Sequence, residues 1–163
     1  MRVLVAVASK HGATRELAAV VADELGAAGH AVDLLEAGAV GSLAGYGAAV
    51  LGSALYMGAW LPEARRLVER HRAELAALPL WLFSSGPLGE EAPQPEPDAA
   101  ALLAPFAGLR VRGHEVFAGR LDRARLGVGE KLVARLVKAP DGDFRDLAAV
   151  RTWASTIAAD LAA

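Results

Sequence analysis

Cysteine is absent from the 163 residues, which excludes disulfide scaffolds, thiolate-ligated zinc, iron–sulfur clusters and thiol nucleophiles. An excess of one charge is absent too. The 17 basic and 19 acidic side chains leave a net charge of −2, so the chain as a whole attracts neither nucleic acid nor anionic lipid. Aromatics make up only 6%, and the 37 alanines bury little area each, so Leu, Val and the few rings must mark the core. A long unbroken apolar run is also lacking. Residues 37–62 carry no charge, but Gly38, Gly41, Gly45, Gly47, Gly52 and Gly58 interrupt them, and such a stretch reads as a buried strand between glycine-rich loops, not as a membrane span. Val3 to Ala8, behind a lone Arg2, is too short for a signal peptide and its cleavage site. A cytoplasmic protein is expected.

What is present suffices for one compact domain over 1–163: 54% apolar and 22% charged residues, at a length that closes a single core. Apolar runs at Arg2–Ala8, Ala31–Glu36, Ala48–Ser53, Leu80–Phe83 and His114–Ala118 read as five strands. They alternate with helical patterns. Leu17, Val20, Val21 and Leu25 give the first helix. Leu67, Val68, Leu75 and Leu78 give one continuous helix between Pro62 and Pro79. A short helix starts at Ala99 and stops at Pro105, and Leu147, Val150, Trp153, Ile157 and Leu161 form a last helix capped by Asp146. Continuous apolar strands separated by helices predict an α/β fold with a parallel sheet covered on both faces.

Such sheets bind ligands at the carboxyl ends of their strands, and three loops there are chemically unusual. The first, Ser9-Lys10-His11-Gly12-Ala13-Thr14, combines two hydroxyls, a glycine, two basic groups and a helix start, which together suit a phosphate dianion. The plain alternative is a strand-to-helix turn with Thr14 as N-cap. The second, Ala54-Leu55-Tyr56-Met57-Gly58-Ala59-Trp60, is uncharged and suits a flat heteroaromatic ring, unless Tyr56 and Trp60 pack under the next helix. The third, Ser84-Ser85-Gly86-Pro87-Leu88-Gly89, offers donors to a ring edge. Walker and dinucleotide glycine patterns are missing, so a mononucleotide is the better ligand and Glu36 a poor ribose acid.

No metal site and no catalytic acid, base or nucleophile stands out. The four histidines are scattered at 11, 30, 71 and 114, and His71 with Glu74 reads as a solvated helix face. Asp141, Asp143 and Asp146 lack the glycine and glutamate of a calcium loop. Residues 120–138 carry Arg120, Arg123, Arg125, Lys131, Arg135 and Lys138 beside an apolar stripe. This reads as a basic amphipathic helix, either solvated on the sheet edge or contacting a protein partner or the inner membrane face.

Ser9-Lys10-His11-Gly12-Ala13-Thr14-Arg15-Glu16-Leu17-Ala18, the Gly52–Trp60 loop, Phe117-Ala118-Gly119-Arg120-Leu121-Asp122 and Gly142-Asp143-Phe144-Arg145-Asp146 together resemble the flavodoxin-like FMN proteins. Within that family the chain is similar to flavodoxin domain proteins of the menaquinone-dependent protoporphyrinogen dehydrogenase type. The resemblance spans nearly the whole chain. It implies a three-layer, doubly wound five-stranded sheet of order 2-1-3-4-5, an FMN cofactor, a redox partner or quinone as acceptor, and an added segment over 119–142 before the last helix. His11 departs from the usual hydroxyl in the phosphate loop, and Met57 stands where such relatives carry an aromatic.

Two rival readings share this fold. An electron carrier would use the acidic rim of Glu90, Glu91, Glu96 and Asp98 to dock on cationic partners. A flavin-free interaction domain of the same fold is the other reading; in the form of a phospho-receiver it would need carboxylates where Ser9 and Ser53 stand. No pattern in the chain specifies an oligomeric state.

Overall fold

The computed structural model describes residues 1–86, 98–118 and 146–163, together with the backbone pairing of 120–121 and 142–143. Its elements, in chain order, are β1 (Arg2–Ala8), α1 (Ala13–Ala27), β2 (Ala31–Glu36), β3 (Ala48–Tyr56), β4 (Ala59–Trp60), α2 (Pro62–Arg70), α3 (Arg72–Ala76), β5 (Leu80–Ser85), α4 (Ala99–Leu103), β6 (Val111–Phe117), β7 (Arg120–Leu121), β8 (Gly142–Asp143) and α5 (Leu147–Ala162). The main sheet runs β2-β1-β3-β5-β6, and every pair along it is parallel. Counted among the five long strands, this is the order 2-1-3-4-5 that the resemblance implied.

Strand period and burial explain the layers. On β1, Val3, Val5 and Val7 join Leu17, Val21 and Leu25 of α1 and Val150, Ala154 and Ile157 of α5 in one core. Leu4, Ala6 and Ala8 point into the other, with Leu67 and Val68 of α2, Leu75 of α3 and Leu102 of α4. Both faces of the central strands β1, β3 and β5 are dry over most of their length, and for this reason they show unbroken apolar runs instead of alternation, whereas the edge strands β2 and β6 are partly exposed. Packing of α1 against α5 closes one layer, and the α2–α4 side closes the other.

Several boundaries move. The third strand extends beyond Ser53 to Tyr56 and folds back on β4 as an antiparallel hairpin, with Tyr56 opposite Ala59, so the second loop is largely strand. The fourth strand continues to Ser85, and the fifth starts at Val111 and ends at Phe117. The expected continuous helix breaks at His71 into α2 and α3.

At that break the polar residues have partners, which corrects the reading of His71 and Glu74 as a solvated face. His71 is buried. Its Nε2 accepts from Arg70 Nε at 3.2 Å, and its Nδ1 lies 3.3 Å from Glu74 Oε1. The second carboxylate oxygen of Glu74 accepts from Leu43 N, and Arg70 donates to Val40 O. The break thus pins the loop that leads into β3, and the two hydrogen bonds of Glu74 hold its pKa below the ordinary carboxylate value.

α5 is capped as expected, by Asp146 accepting from Ala149 N at 3.0 Å. α4 ends at Leu103, and Pro105 falls in a 3-10 turn, Ala104–Phe106. In the basic segment, Arg120–Leu121 is not helical but pairs antiparallel with Gly142–Asp143. The remainder of the expected 120–138 helix lies outside the described residues. Among the described residues no helix is long and apolar enough to cross a membrane, and no group of His, Asp and Glu could hold a metal ion.

Candidate functional site

Parallel register sets the site. Ala8 pairs with Ser53, Ser53 with Ser84, and Ser84 with Val116. The three loops singled out in the sequence therefore leave the sheet at one level, along its carboxyl edge.

The first loop is organised by its own hydroxyl. Gly12 N donates to Ser9 Oγ at 3.0 Å, and Gly12 itself, at φ +87°, is the N-cap of α1. A side chain at Gly12 would meet no heavy atom within 4 Å. The need for glycine is therefore conformational: the chain passes through the left-handed region to turn straight from β1 into the helix. Gly12 O then accepts from Glu16 N, closing the first turn. Gly12, not Thr14, is the cap, and Thr14 is buried at the start of the helix. The opening N–H groups of α1 and the Ser9 hydroxyl thus meet at one turn, with Lys10 between them in the chain. Arg15 pairs with Glu36, which engages the carboxylate that the sequence offered as a weak ribose acid.

The second loop is a two-residue hairpin whose central residues, Met57 at φ +53° and Gly58 at φ +78°, are both left-handed. Such primed turns match the twist of paired strands, and a non-glycine residue there costs about 1 kcal/mol. The tip presents side chains outward: Tyr56 is 42% and Met57 74% exposed. Lys10 reaches across from the first loop, with Nζ 4.3 Å from the centroid of the Tyr56 ring.

Trp60 does not join this exposed surface. It is 5% exposed, packs edge-on against Phe106 at 4.8 Å and donates from Nε1 to Ser84 Oγ at 2.8 Å. Ser53, fully buried, donates to Ala54 O and accepts from Leu61 N, so both ends of the hairpin are tied to the core. The uncharged composition of this loop serves burial at its base and exposure at its tip.

In the third loop, Ser84 is buried and Ser85 nearly so. Gly86, at φ +106°, donates to Phe117 O at 2.8 Å, and a side chain on it would stand 3.7 Å from Leu55. This turn therefore lies against the hairpin. Pro87, Leu88 and Gly89 lie outside the described residues.

His114 on β6 was missed as a neighbour of the site. Its Nε2 stands 3.0 Å from Ser84 Oγ, extending the Trp60–Ser84 bond into a chain across three strands. The indole can only donate, so the Ser84 hydroxyl accepts from Trp60 and keeps its proton and a second lone pair for the His114 ring nitrogen, whose tautomer sets the direction of that bond. Burial holds the His114 pKa below 6.5, with Glu115 opposing. No sequence signal could have found this chain, since Ser84 and Trp60 lie 30 and 54 residues before His114.

A family model described as a flavodoxin domain matches residues 4–148. The chain belongs to the flavodoxin domain family. Its fold is shared with a cysteine-to-serine mutant of flavodoxin from Pseudomonas aeruginosa, at 19% identity and a TM-score of 0.63, with both chains covered completely. Rubredoxin oxygen:oxidoreductase from Desulfovibrio gigas aligns at 17% identity and a TM-score of 0.62 over 98% of this chain and 36% of its own. The flavodiiron core of Flv1 from Synechocystis sp. PCC6803 aligns at 20% identity and a TM-score of 0.56 over 71% of this chain and 30% of its own. The chain thus spans about a third of the length of these two larger proteins. No curated protein matches.

Family membership implies FMN as the cofactor. The residues at the carboxyl edge suit that group: a glycine-turned helix start with a hydroxyl and a lysine fits a phosphate dianion, and an exposed tyrosine on an uncharged hairpin fits a flat ring.

Proposed function

We propose that residues 1–163 form one FMN-dependent redox domain of the enzyme-like kind, passing electrons to a quinone. In this reading Ser9, Gly12, Ala13 and Thr14 hold the phosphate, with Lys10 and His11 adding charge. Ala54, Leu55, Tyr56, Met57 and Gly58 flank one face of the ring, and Ser85 and Gly86, continued by Pro87, Leu88 and Gly89, border the other. Trp60 and Ser84 support these loops from the core. Bound FMN supplies the electron or hydride chemistry, and the chain supplies binding, orientation and exclusion of water.

The observation that carries the acceptor class is the character of the rim on its hairpin side, away from Glu90, Glu91, Glu96 and Asp98 in the chain. The hairpin tip is apolar and exposed, residues 37–62 hold no acid, and the charge set against the Tyr56 ring is the ammonium of Lys10. A carrier docking on cationic proteins needs the opposite sign around its ring, whereas a small uncharged acceptor is served by an apolar lip. The protoporphyrinogen dehydrogenase type of activity fits the same reading, with contact between 120–138 and a membrane surface bringing the site to a lipid-dissolved quinone.

The test begins with the visible spectrum of purified protein after FMN loading and gel filtration. Retained flavin bands are expected. Anaerobic reduction followed by a quinone should then reoxidise the flavin over repeated turnovers. Reoxidation by a one-electron protein partner alone would instead make the chain a carrier, and failure to retain flavin would leave a flavin-free interaction domain.

A further inference from the structure

The chain holds two methionines and no cysteine, so its sulfur chemistry rests on two thioethers, and these lie at opposite edges of the sheet. Met1 precedes β1 at the amino edge and leans on the loop before β3: a side chain on Gly47 would stand 3.0 Å from its sulfur. Met57 follows β3 at the carboxyl edge. At 74% exposure, against 57% for Met1, it is the least covered large apolar side chain among the described residues. Its backbone, at φ +53°, is held in the two-residue turn that the pairing of Tyr56 with Ala59 closes. The Met57 side chain therefore stands in water in the folded state, and an oxidant reaches it without any opening of the protein. The burial that shields a methionine sulfur in a core is missing at this position.

We propose that Met57 is a modification site, oxidised by hydrogen peroxide to the sulfoxide, and that the added oxygen slows electron transfer from the site to its acceptor. In this step a sulfur lone pair attacks one peroxide oxygen, the O–O bond breaks, and the second oxygen leaves as water. The thioether loses two electrons and the peroxide gains them. A flexible apolar side chain thereby becomes a polar, chiral one at the tip of the hairpin. The lip loses the apolar character that serves an uncharged acceptor, because a quinone now meets a sulfoxide oxygen whose water must be stripped away. The change is reversible, since methionine sulfoxide reductases return the thioether. Peroxide arises at this same edge whenever dioxygen, in place of quinone, takes two electrons and two protons from reduced flavin.

This inference rests on the FMN and quinone reading of the site, and the experiment keeps the two apart. FMN-loaded protein is treated with dilute hydrogen peroxide, freed of it by gel filtration, reduced anaerobically and reoxidised with a quinone at full FMN occupancy. Peptide mass spectrometry reports the oxygen gained at each methionine. Met57 sulfoxide is expected to form ahead of Met1 sulfoxide, and quinone reoxidation to slow about fivefold, the scale of bringing a polar group into an apolar contact. Methionine sulfoxide reductase should then restore the rate, which damage to any other residue type would not allow. Met57→Leu, whatever its own rate, should keep that rate through the treatment, whereas Met1→Leu should slow as the natural chain does. If Met57 sulfoxide forms and the rate is unaltered, if Met57→Leu slows as much as the natural chain, or if Met1 is oxidised first, the inference is overturned while the site stands. If the untreated natural chain retains no FMN, or a quinone does not reoxidise it, the reading falls and the inference with it.

Discussion

Gly52 of β3 lies against the ring of Phe83 on β5: a methyl group on it would stand 2.0 Å from Phe83 Cζ and 2.2 Å from Cε1. The two are register partners, and the ring continues into an aromatic cluster with Phe117 at 6.4 Å and Trp153 at 6.0 Å. Glycine here gives room for an aromatic, just before the strand ends that form the site. Gly52→Ala is therefore expected to destabilise the protein by about 3 kcal/mol, the upper range for overpacking a core. Chemical denaturation would read this, and Gly52→Ala combined with Phe83→Leu should recover part of the loss. Equal stability of Gly52→Ala and the natural chain would show that Phe83 can turn aside.

The cap of α5 offers a milder perturbation. Asp146→Ala removes the acceptor for Ala149 N and should cost about 1 kcal/mol, whereas Asp146→Ser should cost little, because serine caps nearly as well. Paired urea midpoints would distinguish a capping loss from a general effect of charge removal, in which both variants would fall equally.

Acid should weaken the fold through His114. Its pKa in the folded protein lies below 6.5 because of burial, so around pH 6 the unfolded chain binds more protons at this position than the native one. Stability contributed by neutral His114 is present above its unfolded pKa and is lost as pH falls toward the lowered folded value. His114→Gln keeps a polar side chain without this titration, and it should flatten the stability profile between about pH 7 and the acidic limb. A profile unchanged by the substitution would assign the acid sensitivity elsewhere.

At the phosphate loop, Thr14→Ala should weaken FMN binding by about 1 to 2 kcal/mol, the scale of one lost hydrogen bond to a charged group. Thr14 is buried, so the thermal midpoint of the free protein must be compared alongside. A loss of FMN affinity without a matching loss of stability assigns the hydroxyl to the phosphate. Unchanged affinity removes Thr14 from the site.

The sequence by itself determined the strand and helix alternation, the capping residue Asp146 and the glycine-turned loop after β1. These are legible because each is a local matter: a buried parallel strand is a continuous apolar run, a helix face has its period, and a cap lies within four residues of what it caps. The strand order came with the family resemblance, since no local pattern states which strand lies beside which. Tertiary structure alone decided the rest. The Ala59–Trp60 strand is too short for any period, and only pairing with Leu55 and Tyr56 makes it one. The break at His71 is set by Arg70, Glu74 and the loop at Val40–Leu43, partners up to 31 residues apart. Trp60 became a support and Tyr56 an exposed ring because one side chain had Ser84 and Phe106 to pack against and the other met the Lys10 ammonium at the surface. Side chains of the same chemical kind thus take opposite roles through contacts between distant segments, which spacing along the chain does not record.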